Sequence, residues 1–314
     1  MKTQDIKRAV VAGGGGFIGK PLCRALMASG YQVTVLTRGR PRPPSVTPDG
    51  PLPAFEHWDG RTAEGWGHLA DGASVIVNLA GESIGERRWT PQVKQAIIES
   101  RVMAGLAIVH AVREAKAKPE TLIQSSAVGY YGDTGEEPVD ESSPPGQGFL
   151  ADVCLQWEES TRAVESMGVR RVVVRTGLVI GRGGGVLEKM LTPFKFFLGG
   201  AFGSGEQGFP WIHIEDEVEA MLFLVGRADA SGPFNLTAPE PASNAGFCRE
   251  LGRALSRPCG LSIPASALRL AMGQMAEELL LSGNRPFPKR LVEMGYVFKH
   301  PRLAGALRHI LSPR

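Results

Sequence analysis

Three glycines at positions 13, 16 and 19 separate a short β-branched run from a helical pattern, and this feature limits the fold more than any other. Residues 9–12 read as a buried parallel strand. Residues 17–29 carry apolar side chains at Ile18, Leu22, Ala25 and Leu26, a helical spacing closed by Gly30 as C-cap. Residues 32–36 read as the next strand, completing one β-α-β unit. In such a unit Gly13 permits the tight turn, Gly16 lets backbone approach a pyrophosphate, and Gly19 lets helix pack on strand. The helix N-terminus then offers unpaired N–H groups and a positive dipole end to phosphates. A merely tight turn needs no run of four glycines, so a dinucleotide is the expected ligand.

The end of the second strand separates the two nicotinamide cofactors. An NAD site places an Asp or Glu there for the ribose 2′-hydroxyl. This chain has Thr37, Arg38, Gly39 and Arg40. A guanidinium at Arg38 can hold a 2′-phosphate through paired charged hydrogen bonds, so NADP(H) is the expected cofactor. The alternative leaves Arg38 and Arg40 as solvated loop charges.

Further strands are predicted at residues 54–58, 75–79, 121–125 and 171–176, with helices at 90–117 and 150–167 and a Pro/Gly-rich loop at 39–53. This alternation predicts an α/β, doubly wound Rossmann-type parallel sheet. Past Gly177 the pattern becomes mainly helical, at 186–198, 215–227, 244–256, 264–281 and 301–311, with one strand at 233–237. The expected division is a cofactor domain over residues 1–180, partly rejoined by 209–240. A smaller C-terminal substrate lobe is formed by 181–208 and 241–314.

Composition narrows the partners. A formal charge of +3 over 314 residues, with no Lys/Arg run, argues against nucleic acid or a membrane surface and for a small-molecule substrate. Cys23, Cys154, Cys248 and Cys259 lack metal-ligand spacing, so no metal is expected and reduced thiols in a cytoplasmic protein are. Residues 1–8 are polar and the apolar run after them breaks at Gly13, which predicts no signal peptide. No apolar span of membrane length is expected.

GGGGFIG at 13–19, WDG at 58–60, NLAG at 78–81, QSSAVGYYGD at 124–133 and WIHIED at 211–216 together resemble the extended short-chain dehydrogenase/reductase superfamily. AGESIGERRW at 80–89 and MAEELLLSGNRPFPKRL at 275–291 are similar to one atypical subgroup. Its members are epimerase-family proteins assigned as nucleoside-diphosphate-sugar epimerases, with a C-terminal domain of unknown function. The resemblance implies that Gly13, Gly16, Phe17, Ile18 and Gly19 line the pyrophosphate and that Arg38 meets the adenosine phosphate. It further implies that Asp59 touches the adenine amino group, that Leu79, Ala80 and Gly81 pass under the adenosine ribose, and that Ser125 and Ser126 lie beside the nicotinamide. Thr176 and Gly177 would meet the carboxamide, and Glu82, with Arg87 and Arg88, lies at the cofactor edge.

The superfamily's chemistry uses a Tyr-x-x-x-Lys pair, in which Lys lowers the Tyr pKa for proton exchange during hydride transfer. Here GFLADVCLQWEE holds Phe149 or Leu150 in place of the Tyr, and Val153 or Cys154 in place of the Lys. Phe209 and Pro210 stand where nucleotide-sugar-binding members carry an Arg. The expected catalytic groups become Ser126, to orient a carbonyl, and Tyr130, as proton donor; Tyr131, His213 and Asp216 are further candidates. The glycine-rich segment 199–208 has the small residues of a lid, and Phe202 and Trp211 are candidates for an aromatic wall. The expected activity is NADP(H)-dependent oxidoreduction of a small polar carbonyl or sugar-like substrate. The alternatives are a non-catalytic NADP(H)-sensing protein and a nucleotide-sugar epimerase. The segment 275–291 either completes the substrate pocket or mediates a homodimer.

Overall fold

The computed structural model describes residues 6–47 and 50–312, so the polar opening read at 1–8 and the loop read at 39–53 lie partly outside the described residues. Seven parallel strands form one sheet. They are β1 Arg8–Ala12, β2 Gln32–Thr37, β3 Ala54–His57, β4 Val75–Asn78, β5 Thr121–Ala127, β6 Arg170–Thr176 and β7 Gly232–Leu236. Their spatial order is β7-β6-β5-β4-β1-β2-β3. The order reverses between β1 and β4, so a crevice opens at their carboxyl ends, the place where open α/β sheets bind ligands.

Strand alternation divides the core. Val11, Val77, Ile123 and Val174 face helices α1 Gly19–Ala28 and α5 Ile214–Gly226, which contribute Leu22, Leu26, Val218, Met221 and Leu224. Val10, Ile76 and Leu122 face the opposite side, against Ala104, Ile108 and Val112 of α2 Pro91–Glu114. Each fully buried aliphatic side chain contributes roughly 1.5–3 kcal/mol. Pro91 and a Thr90 Oγ1 that accepts from the Val93 N–H at 3.3 Å start α2. This helix is also long and apolar enough to cross a membrane, contrary to the sequence expectation of no such span. Half of its most apolar window is buried within the protein, as for a core helix.

Beyond β6, α4 Gly185–Lys195, α6 Asn244–Leu255 and the final helix Leu303–Leu311 pack a separate core around Phe194, Phe247, Leu251 and Leu307. Two predicted helices are shorter than their periodicity implied. The helix read at 150–167 ends as α3 Phe149–Glu159 and continues as a 3₁₀ turn, Arg162–Met167. The one read at 264–281 breaks at Gly273. Apolar spacing persists through both, but backbone geometry does not follow it. The predicted loop at 39–53 contains a small hairpin, Ser45–Thr47 with Gly50–Leu52.

Candidate functional site

The glycine turn occupies the crevice. Gly13 has φ +78°, and a Cβ there would lie 2.7 Å from the Leu79 carbonyl oxygen. At Gly19 a Cβ would lie 2.3 Å from the Gly13 carbonyl oxygen, so any side chain would push α1 off the turn. Gly16 N–H closes the turn by donating to Gly13 O at 3.0 Å. Helix α1 has Ile18 at its cap position, no capping side chain and no acid in its first turn. Lys20 N–H already donates to Gly16 O at 3.1 Å and Pro21 has no N–H, so the Gly19 N–H and the positive end of the helix dipole are what α1 offers an anion. Phe17 turns its ring onto the loop 181–185, where a Cβ on Gly184 would sit 2.6 Å away; what it can offer a phosphate is backbone.

Leu79, Ala80 and Gly81 follow β4 at the edge of the same crevice. Arg38 directly follows β2, is exposed, and makes no ion pair among the described residues. Asp59 is exposed and holds a turn, accepting from the N–H groups of Arg61 at 2.7 Å and Thr62 at 2.8 Å. Glu82 pairs with Arg87 at 3.1 Å, and Arg88 is exposed.

A cavity of about 310 Å³ lies past the carboxyl ends of β5 and β6. Its wall includes Ala127, Leu150, Cys154, Trp157, Thr176, Phe209 and Arg101. The superfamily's proton-transfer positions on α3 are thus filled by groups that transfer no proton at neutral pH. Burial pushes the Cys154 thiol up to about 11, and its Sγ rests on Ala127 O at 3.5 Å.

The two expected catalytic residues are displaced from this wall. Ser126 is buried, and its Oγ donates to Glu158 Oε1 at 2.7 Å. Glu158 is held by Arg175 through bonds of 2.9 and 3.0 Å, and the Arg175 guanidinium stacks 3.4 Å from the Tyr130 ring centre. Arg175 also donates to Tyr131 Oη at 3.1 Å, which in turn donates to Asn235 at 2.7 Å. Burial raises Tyr131 to about 12. Ser126 follows the side-chain parity of Leu122 toward α2 and α3, where Glu158 takes its hydroxyl beneath the cavity wall, and its neighbour Ala127 at the end of β5 reaches the cavity. Ser125 is buried and shares the parity of Ile123, which packs toward α1 and α5.

Thr176 does reach the cavity, and its Oγ1 donates to Glu217 Oε1 at 2.8 Å. Glu217 is fully buried and its Oε2 has no partner among the described residues; desolvation pushes its pKa up to about 8. A neutral carboxyl therefore stands directly behind a cavity hydroxyl. Glu217 is one of four acids at the start of α5, with Glu215, Asp216 and Glu219, so nothing in the sequence singled it out.

The C-terminal segment closes the far side. Glu278 accepts from the Phe149 and Leu150 N–H groups at 3.2 and 2.9 Å, capping α3, which has no cap of its own. Asn284 donates to the carbonyls of Val128 and Gly132 at 2.8 and 2.9 Å. These bonds give the motif at 275–291 a role in shaping the pocket. The expected lid at 199–208 is tied down: Gly200–Phe202 pairs with Leu261–Ile263, and Gln207 donates to Phe202 O at 3.0 Å. Phe202 lines the cavity, while Trp211 is buried in the core. His213 caps α5, its Nδ1 accepting from Glu215 N–H at 3.1 Å, and burial with His300 beside it lowers it to about 4. Asp216 binds the backbone N–H groups of Lys299 at 2.7 Å and His300 at 2.8 Å; neither it nor His213 lines the cavity. His213, Glu215, His300 and His309 bring four potential ligand atoms within 4.8 Å of one another, a cluster that the cysteine-based expectation of no metal did not consider.

The profile of the NAD dependent epimerase/dehydratase family matches residues 9–237, and that of a domain of unknown function matches residues 263–310. Epimerase family protein Mb2239 of Mycobacterium bovis is 39% identical over 297 residues, covering 95% of each chain. A chloroplastic SDR39U1 homologue of Arabidopsis thaliana is 36% identical, over 96% of this chain and 86% of its own. The crystal structure of human epimerase family protein SDR39U1 with NADPH superposes with a TM-score of 0.87 at 34% identity, over 96% of this chain and 98% of that one.

Proposed function

The chain belongs to the NAD dependent epimerase/dehydratase family, and from that premise we propose that it is an NADP(H)-dependent oxidoreductase acting on a small carbonyl or sugar-like substrate. The observation that carries the cofactor is Arg38, unpaired among the described residues and directly after β2, where the sequence places no acid. The solved human relative contains NADPH, which supports the same reading. When bound, the nicotinamide supplies or accepts a hydride.

The residues present fit that cofactor. Gly13 and Gly19 leave the space its pyrophosphate needs against backbone, and the Gly19 N–H with the positive dipole end of α1 would receive its charge. Leu150, Val153 and Phe209 give the adjoining cavity an apolar wall. Thr176 and Glu217 replace Ser126 and Tyr130 as the proposed proton route at the cavity: a protonated Glu217 would donate its O–H to Thr176 Oγ1, which frees the Thr176 proton for the substrate. A pKa near the working pH suits that role.

A second reading, cofactor sensing without chemistry, draws on one observation: Ala127, Leu150 and Cys154 line the wall where a proton donor is expected. Phe209 and Pro210 on the same wall supply no charge for a sugar-nucleotide diphosphate, which weighs against the epimerase alternative. The test is NADPH oxidation and NADP⁺ reduction by the purified chain over a panel of carbonyls, alcohols and sugar nucleotides. Cofactor-dependent turnover abolished by Thr176→Val supports the proposal. Cofactor binding with no turnover of any compound supports the sensor.

A further inference from the structure

One charged group on the cavity wall has no counter-ion among the described residues. Arg101, in the middle of α2, is 9% exposed, with its guanidinium carbon 4.8 Å from the Trp157 ring centre. Its one recorded hydrogen bond is Nη1 to Ile97 O at 3.0 Å, within its own helix. Burial lowers its pKa, yet a guanidinium stays protonated. The carboxylate acting on it from nearby, Glu82, is already paired with Arg87. The other charged wall groups are satisfied by backbone: Asp133 accepts from Gly135 and Gly283, and Glu278 from Phe149 and Leu150.

An unpaired buried cation is costly, and a ligand that brings the opposite charge removes the cost. The surroundings leave room for it. The guanidinium lies against Gly81, where a Cβ would stand 3.0 Å from the guanidinium carbon. Cys154, on the adjacent helix, presents a small neutral side chain toward the same space. The remaining wall is largely apolar, with Val128, Leu150, Val153, Leu178 and Phe209.

We propose that Arg101 anchors an anionic head group of the substrate, and that the substrates are small oxo acids or hydroxy acids with an apolar body. A carboxylate meets the guanidinium fork through two parallel charged hydrogen bonds, while the apolar walls take the rest of the molecule. This deepens the oxidoreductase reading and rests on it for the oxo or hydroxy group; the carboxylate anchor itself is testable without turnover.

The experiment titrates the NADPH-loaded full chain with hexanoate and phenylacetate, and with their neutral amides, none of which carries a reducible ketone. Wild type is expected to bind the acids at least about tenfold more tightly than the amides. Arg101→Gln should erase that preference, Arg101→Lys should retain part of it, and NADPH affinity should stay within about twofold. Equal binding of acid and amide by wild type overturns the proposal without reference to any variant. So does a preference that survives in Arg101→Gln, or a tenfold loss of NADPH affinity in that variant, which would assign the guanidinium to the cofactor. Acid preference without turnover of any oxo acid would sink the oxidoreductase reading and leave the anchor standing; turnover of neutral carbonyls without acid preference would do the reverse.

Discussion

The two ends of the crevice are built differently. At the glycine end, backbone proximity sets the residues: Gly13 and Gly19 each face a carbonyl oxygen at under 3 Å from where a Cβ would stand. At the cavity end, side chains set the chemistry, and Ala127, Leu150 and Cys154 occupy the wall. At Gly13 and Gly19 backbone geometry leaves no room for a side chain, so these two positions define the cofactor end. A proton route can be rebuilt from other side chains, so the cavity end can lose its usual pair while the fold stays intact. In this chain the proposed route is Thr176 with Glu217, hydrogen-bonded at 2.8 Å, and the proposed anchor is the buried Arg101.

The largest effect that would break this contrast lies in the glycine turn. Gly19→Ala should lower NADPH affinity more than about 100-fold, read by calorimetric titration, because α1 must move off the turn. Gly15→Ala, whose Cβ would meet nothing within 4 Å, should change it less than about twofold. Equal effects of the two would mean that backbone proximity does not govern that end.

Glu217 sharpens the other end. Its carboxyl is raised from 4.5 to about 8, so the folded protein holds a proton that the unfolded chain has released across that interval. Stability should therefore fall as pH rises from about 4.5 to about 8, by at most about 1.4 kcal/mol per pH unit. Chemical denaturation of Glu217→Gln should lose this slope. A variant that keeps the wild-type slope would show that Glu217 is ionised when folded.

Ser126→Ala should cost about 1–2 kcal/mol of stability by removing one bond from Glu158, with cofactor affinity and turnover unchanged. Loss of turnover with stability intact would restore the serine to catalysis. The smallest effect is His213→Ala, which removes the α5 cap at about 1 kcal/mol; His213→Asn should recover most of it. Because burial and His300 depress His213 from 6.5 to about 4, wild type should also lose stability as pH falls through that window, and both variants should lose that component.

The cofactor end was legible in the sequence because its requirements are local. A strand, a glycine turn, a helix and the next strand are contiguous, and Arg38 follows directly. The cavity end was not. Which of Ser125, Ser126 and Ala127 faces the cavity depends on strand parity and on where β5 ends, since each residue along a strand reverses the side. Arg101 lies in the apolar stripe of α2, and no spacing rule connects it to α3 on the neighbouring element. Glu278 caps α3 from more than a hundred residues away, a pairing only the fold creates. The break at Gly273 was visible as a glycine but outweighed by the apolar period on either side.

The central claim is that the crevice selects NADP(H) through Arg38, and the most direct measurement is calorimetric titration of wild type and Arg38→Ala with NADPH and NADH. The account predicts tighter NADPH binding by wild type, a loss of about 10- to 100-fold in Arg38→Ala, and no change for NADH. Equal affinity of wild type for the two cofactors, or an unchanged NADPH affinity in Arg38→Ala, would contradict it.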